Sequence, residues 1–274
     1  MPIVVRGLSF AYDDKPVLGC AEAVFKEGRV HLVLGPTGSG KTTLALMLAG
    51  LVAPQTGIIT VDGADPASGD FDRSLVQLSF QFPETQMFEV SVAKEMLYGL
   101  HNFGFDDAAA VKRCLWALER VGLADDFLER DPADLSFGER RKVALASVIA
   151  LKPRYLILDE PLAGLDWSGR QSLIAVIESL KTEGLTALIL THEADLLAET
   201  GDTVSVIDDG VLSRPAPVDA FLRSANEGDR RMWPDHAAVL SELAKLGFRV
   251  PASPRGVDEV RAALLEVLGS IQGG

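Results

Sequence analysis

Apolar and polar positions alternate through the first thirty residues. Ile3, Val5, Leu8 and Phe10, then Val17, Val24 and Phe25, flank the turn-forming run Asp13-Asp14-Lys15-Pro16. A period of two broken by a turn predicts antiparallel strands. The unbroken run His31-Leu32-Val33-Leu34 reads as a buried strand, and the Leu-, Ala- and Met-rich residues 43–51 read as a helix. Residues 57–62 form another strand-like segment. From about residue 85 to 150 the spacing turns helical, as in Val111, Leu115, Leu118 and Val121, and a second helix over 143–151 stops before Pro153. Two apolar runs, 155–158 and 186–190, then flank a helix over 171–181. Strands alternating with helices predict an α/β fold with a mostly parallel core sheet. An N-terminal antiparallel β subdomain precedes that sheet, and a helical subdomain at about 85–150 interrupts it, all within residues 1–214.

Past Gly210 the pattern changes. Prolines 215, 217, 234, 251 and 254 punctuate short helices expected at 237–246 and 257–268, with Asp235 and Asp258 placed to start them. Residues 215–274 are expected to form a small helical C-terminal extension that contacts another subunit.

Bulk properties narrow the partners. The 274 residues are 47% hydrophobic, enough for one large domain and a modest appendage. Lys and Arg number 26 against 39 Asp and Glu, a net charge of −13. With no basic stripe, that charge argues against nucleic acid and against anionic lipid as direct partners. No run approaches the roughly 18–20 apolar residues of a membrane span. A role at a membrane is therefore expected from its cytoplasmic face, through a membrane-embedded partner. Cys20 and Cys114 lack metal-ligand spacing and are expected to be reduced, packed thiols.

The chemistry begins at Gly35-Pro36-Thr37-Gly38-Ser39-Gly40-Lys41-Thr42, which fits G-x-x-x-x-G-K-[ST] between a strand and a helix. Glycines let successive backbone N–H groups converge on phosphate oxygens, and the helix start adds positive potential. The loop from Gly35 through Thr43 is expected to hold a nucleoside triphosphate, with Lys41 on its β- and γ-phosphates and Thr42 on magnesium. Downstream, Asp159 and Glu160 end an apolar run and would reach the same sheet edge. Asp159 is expected to hold magnesium, and Glu160 to polarise a water for in-line attack. Ser136 and Gly138 open another helix, a second anion-binding start that one nucleotide could not easily share with the first.

The order of these motifs over residues 3–212 resembles the ATP-binding-cassette (ABC) family. Leu135-Ser136-Phe137-Gly138-Glu139 is similar to its Leu-Ser-Gly-Gly-Gln signature, with Phe137 for the first glycine and Glu139 for the glutamine. The resemblance implies that Ser136 and Gly138 contact ATP held by a second ATPase subunit, either an identical copy or a paralogue. It further implies that Tyr12 stacks on adenine and that Gln81 senses magnesium and the attacking water. Asp166, in Ala163-Gly164-Leu165-Asp166, would lie in a loop crossing the dimer interface, and His192 would touch the γ-phosphate. The segment Phe80-Gln81-Phe82-Pro83-Glu84-Thr85-Gln86-Met87-Phe88 resembles the ATPases of energy-coupling-factor importers, which take up vitamins or transition-metal ions. That likeness implies a transmembrane scaffold and a substrate-binding membrane subunit as partners, with Glu84 and Glu89 available to basic residues of the scaffold. Two alternatives stay open: the ATPase of another ABC transporter class, and a soluble ABC ATPase outside transport.

Overall fold

The computed structural model describes residues 1–194 and 200–224, together with Leu265. Two sheets organise them. The smaller is antiparallel, in the order β2 (Lys15–Phe25), β1 (Ile3–Tyr12), β4 (Thr56–Val61). Its inward residues Ile3, Val5, Leu8 and Phe25 are buried, Leu8 joining that face through a register shift in β1 after Val5. Asp13 and Asp14 both take positive φ at the β1–β2 turn, a conformation that aspartate tolerates better than most residues.

In the larger sheet, five strands run parallel in the order β8 (Thr203–Asp208), β3 (Val30–Leu34), β7 (Thr186–Thr191), β6 (Tyr155–Asp159), β5 (Val76–Ser79). β9 (Val211–Leu212) and β10 (Ala216–Pro217) pair antiparallel with β8. Strands β3, β6 and β7 are buried at every residue, as expected of parallel strands covered on both faces. One face packs on helix α1 (Lys41–Leu48) and the antiparallel sheet. The other packs on helices α2 (Val92–Asn102), α3 (Asp107–Arg120), α4 (Phe137–Ile149) and α5 (Trp167–Thr182).

Several elements differ from the sequence reading. Helix α1 ends at Leu48, short of residue 51. Gly50 turns into the left-handed region there (φ 69°), where a β-carbon would lie 2.0 Å from the Pro66 carbonyl oxygen. Strand β5 is an addition: four residues with half-buried Gln77 and Leu78 carry too little periodicity to stand out. The core also continues past the boundary expected at residue 214. β10 joins the sheet, and Val218 and Leu222 of helix α6 (Val218–Ser224) bury themselves in the main core. The helices expected at 237–246 and 257–268 lie outside the described residues. Cys114 is a buried free thiol whose pKa burial pushes up to about 11.

Candidate functional site

Parallel strands deliver their C-terminal ends to one edge, and register decides what meets there. Leu34 pairs with Thr191, Leu190 with Asp159, and Leu158 with Ser79. The loops leaving β3, β5, β6 and β7 therefore emerge side by side, the usual place for a ligand in an α/β sheet. A cleft of about 250 Å³ opens there, lined by Tyr12, Thr37, Gly38, Gly40, Lys41, Thr42, Thr43, Gln81, Glu160 and His192.

The loop 35–40 is shaped by contacts that only glycine permits. A β-carbon on Gly35 would sit 2.5 Å from the Ile207 carbonyl oxygen. Gly40 has φ 102°, and its β-carbon would lie 2.8 Å from the Val17 carbonyl oxygen. Pro36 accepts a hydrogen bond from the Ser39 N–H, and Ser39 is itself buried with its hydroxyl unpartnered. The Lys41 ammonium, also buried, donates to the carbonyls of Gly35 (2.7 Å) and Pro36 (3.1 Å) and pairs with Glu160 Oε1 at 3.2 Å. One cation thus links the phosphate-type loop to the end of β6.

The carboxylates occupy different surroundings. Asp159 Oδ2 accepts a 2.6 Å bond from the Thr42 hydroxyl, while Oδ1 is buried without a partner. Burial raises the Asp159 pKa, Glu160's charge adds to this, and the Thr42 bond opposes it. Glu160 takes a left-handed backbone (φ 47°), a strained choice for a side chain of its size and one that clusters at functional sites. Its Oε2 accepts from Thr191 Oγ1 (3.1 Å), the His192 N–H (3.3 Å) and His192 Nδ1 (2.9 Å). Thr191, fully buried at the end of β7, was not singled out from sequence. Its place one residue before His192 was the only available signal.

The second helix start stands apart from this cleft. Ser136 caps α4 with a reciprocal pairing: its hydroxyl (2.6 Å) and N–H (2.9 Å) both donate to Glu139 Oε2, and the Glu139 N–H donates to Ser136 Oγ at 3.3 Å. The Ser136 bonds hold the Glu139 carboxyl below the usual carboxylate range. Phe137 and Phe82 both pack at Gly164, within 4 Å of where its β-carbon would be. Asp166 caps α5 through a 2.7 Å bond from the Gly169 N–H. Gly138 borders a separate apolar cavity between α4 and α5. Tyr12 stays 47% exposed at the cleft mouth, edge-on to Phe10.

The segment after Gln81 divides between two environments. Phe88 is 64% exposed and meets Tyr98 edge-to-face, with Val90 also exposed, while Met87 packs on the core. Glu84 departs from the expectation of an outward-facing carboxylate: it is buried beneath its own turn, facing Arg141.

Residues 21–163 match the family model described as ABC transporter. A provisionally named ABC transporter ATP-binding protein of Pyrococcus horikoshii is 42% identical, covering 97% of this chain and 99% of that protein. The energy-coupling factor transporter ATP-binding protein EcfA2 of Symbiobacterium thermophilum is 36% identical over 100% of this chain and 99% of its own length. Among solved structures, cbiO1 of Clostridium perfringens, part of the ABC transporter complex cbiONQ, superposes with a TM-score of 0.72 at 28% identity, covering 89% of this chain and 98% of that one. Matched along its length by such relatives, with the phosphate-type loop, paired carboxylates and signature helix in place, this chain belongs to the ABC transporter ATP-binding family, alongside the energy-coupling factor ATPases.

Proposed function

We propose that this chain is the ATP-hydrolysing subunit of an energy-coupling-factor-type importer of a vitamin or transition-metal ion. Two such ATPases, identical or paralogous, would close around ATP and move a transmembrane scaffold that carries a substrate-binding membrane subunit. The chain would sit on the cytoplasmic face; among the described residues no helix is long and apolar enough to cross a membrane. The observation that carries the reading is the convergence of Lys41, Thr42, Gln81, Glu160 and His192 on one cleft beside Asp159.

In this reading the loop from Gly35 through Thr43 cradles the phosphates of ATP, with Tyr12 against the adenine. Lys41 leaves the Gly35 and Pro36 carbonyls to meet the β- and γ-phosphates, offsetting charge that spreads during transfer. Glu160, released from Lys41 by the same movement, orients water for in-line attack. Thr191 and His192 fix its other oxygen, and Gln81 closes the far side of the water. Magnesium fits the donor set of Thr42, Gln81 and Asp159, since the orphaned Asp159 Oδ1 is a hard oxygen lacking only a cation; bound there, it would neutralise phosphate charge. Ser136, Gly138 and Asp166 lie outside the cleft, which supports their acting on the nucleotide of the opposing subunit.

The exposed Phe88, Val90 and Tyr98 supply an apolar face for the scaffold. The test combines two variants of the purified chain with co-purification from gently solubilised native membranes. Glu160→Gln should bind ATP without turning it over. Ser136→Arg should bind ATP as a monomer yet lose hydrolysis. Unchanged turnover in Ser136→Arg removes the two-subunit site, and recovery with ribosomes and no membrane protein removes the importer.

A further inference from the structure

Arg141 is a long cation with 7% of its surface exposed, on the second turn of α4 and outside the nucleotide cleft. Its guanidinium donates to the carbonyl of Ala163 at 2.8 Å and to the carbonyl of Pro161, the residue directly after Glu160. Two peptides that follow a strained, positive-φ residue are thereby pinned to a helix of another subdomain. Glu84, 5% exposed, faces the same group: its Oε1 lies 3.9 Å from Arg141 Nη1, and neither carboxylate oxygen has a hydrogen-bond partner. A carboxyl group 3.9 Å from a buried guanidinium is one short shift from a hydrogen-bonded pair. Burial pulls the Arg141 pKa down and Glu84 opposes that pull.

Space for the shift exists. A cavity of about 80 Å³ adjoins Arg141, walled by Phe80, Pro83, Leu145, Leu165 and Leu173. Glu84 belongs to the 3₁₀ turn Pro83–Gln86, which starts two residues after Gln81 and ends two before the exposed Phe88.

We propose that Arg141 is a positioning residue for Glu160, and that Glu84 acts through it. The guanidinium holds the 161–163 peptides so that the Glu160 carboxylate faces the cleft. Displacement of the 83–86 turn draws Arg141 towards Glu84 and loosens those peptides. The junction rests on the ATPase reading above and adds to it a route from the Phe88 segment to the attacking water, without contact to nucleotide.

The experiment is a kinetic and exchange comparison of wild type with Arg141→Lys, Arg141→Met, Glu84→Gln and the Glu84→Gln/Arg141→Met pair. Lysine can reach one carbonyl but cannot fork to both. Misplacement of a catalytic group by about an ångström costs on the order of ten- to a hundredfold in rate. Arg141→Met should therefore lose about that much kcat with KM for ATP within twofold, and Arg141→Lys should recover part of it. Amide hydrogen exchange over residues 161–165 should quicken in both, while the helix following Lys41 stays protected. The double variant should match Arg141→Met alone, because Glu84 has no other route. A kcat unchanged in Arg141→Lys and Arg141→Met overturns the positioning role, and additive losses in the double variant overturn the link to Glu84. Failure of the ATPase reading looks different: wild type itself would then show no hydrolysis that Glu160→Gln abolishes.

Discussion

Replacing Thr191 by valine separates holding the candidate base from holding the sheet. The hydroxyl is fully buried and does two things: it donates to Glu160 Oε2 at 3.1 Å and accepts from the Glu193 N–H at 3.0 Å. Valine fills nearly the same volume, so no cavity term enters, but both bonds disappear. A hydrogen bond to a charged group is worth about 1.5–3 kcal/mol and a neutral one about 0.5–1.5. Thr191→Val should then cost about 2–4.5 kcal/mol. In a domain of this size each kcal/mol lowers Tm by roughly 2–4 °C, giving a fall of about 4–18 °C by calorimetry. Two donors from His192 remain on Oε2, so Glu160 keeps a position while losing part of its constraint. If about half of the charged bond, about 0.75–1.5 kcal/mol, serves orientation, kcat drops roughly three- to tenfold, since ~1.4 kcal/mol is one decade. Steady-state hydrolysis would show that drop with ATP binding intact, and Thr191→Ser should restore the rate and part of the Tm, the lost buried methyl accounting for the rest. A Thr191→Val protein that melts lower yet turns over within twofold of wild type refutes the orienting role. One that melts at the wild-type temperature refutes the bond accounting itself.

Asp159→Asn should raise the Tm of nucleotide-free protein while removing magnesium-dependent hydrolysis. Burial lifts the folded-state pKa of Asp159 above its unfolded value, so its contribution to stability declines as pH climbs through the carboxylate range to that raised value; an unchanged or lower Tm at neutral pH would contradict this. Phe88→Asp should leave purification and ATP binding intact but lose the membrane partner in pull-downs from native membranes; a retained complex counts against that surface. Glu139→Gln keeps an acceptor for the α4 cap while removing an anion from the donors of Ser136. ATP-driven association of Glu160→Gln protein should then need less ATP, and a higher requirement would show that Glu139 helps hold nucleotide.

Contiguous motifs were legible because their meaning is local. Eight successive residues from Gly35 declare a phosphate-type loop, since the required backbone turns admit little but glycine there. The buried strands β3, β6 and β7 announce themselves as apolar runs for a similar reason: both of their faces are covered. Elements whose character depends on distant neighbours were hidden. β5 is short and half-polar, and β10 is two residues that become a strand only because β8 offers an edge. Glu84 reads as a surface carboxylate until its 3₁₀ turn folds it under towards Arg141, fifty-seven positions along the chain.

By itself, then, the sequence determined the chemical inventory of the site and the order of the strands and helices that carry it, except for β5 before Gln81. Tertiary structure decided which atoms meet. The pairing of β3 with β7 and of β7 with β6 brings Lys41, Glu160 and His192 within hydrogen-bonding reach across 151 residues of chain from Lys41 to His192. Nothing in local spacing sets that register; it follows from burying the apolar faces of parallel strands together. The same packing leaves Asp159 Oδ1 and the Glu84 oxygens without hydrogen bonds, because the folding of a core is governed by area removed from water, whereas the polar atoms at its edge take the positions it leaves them.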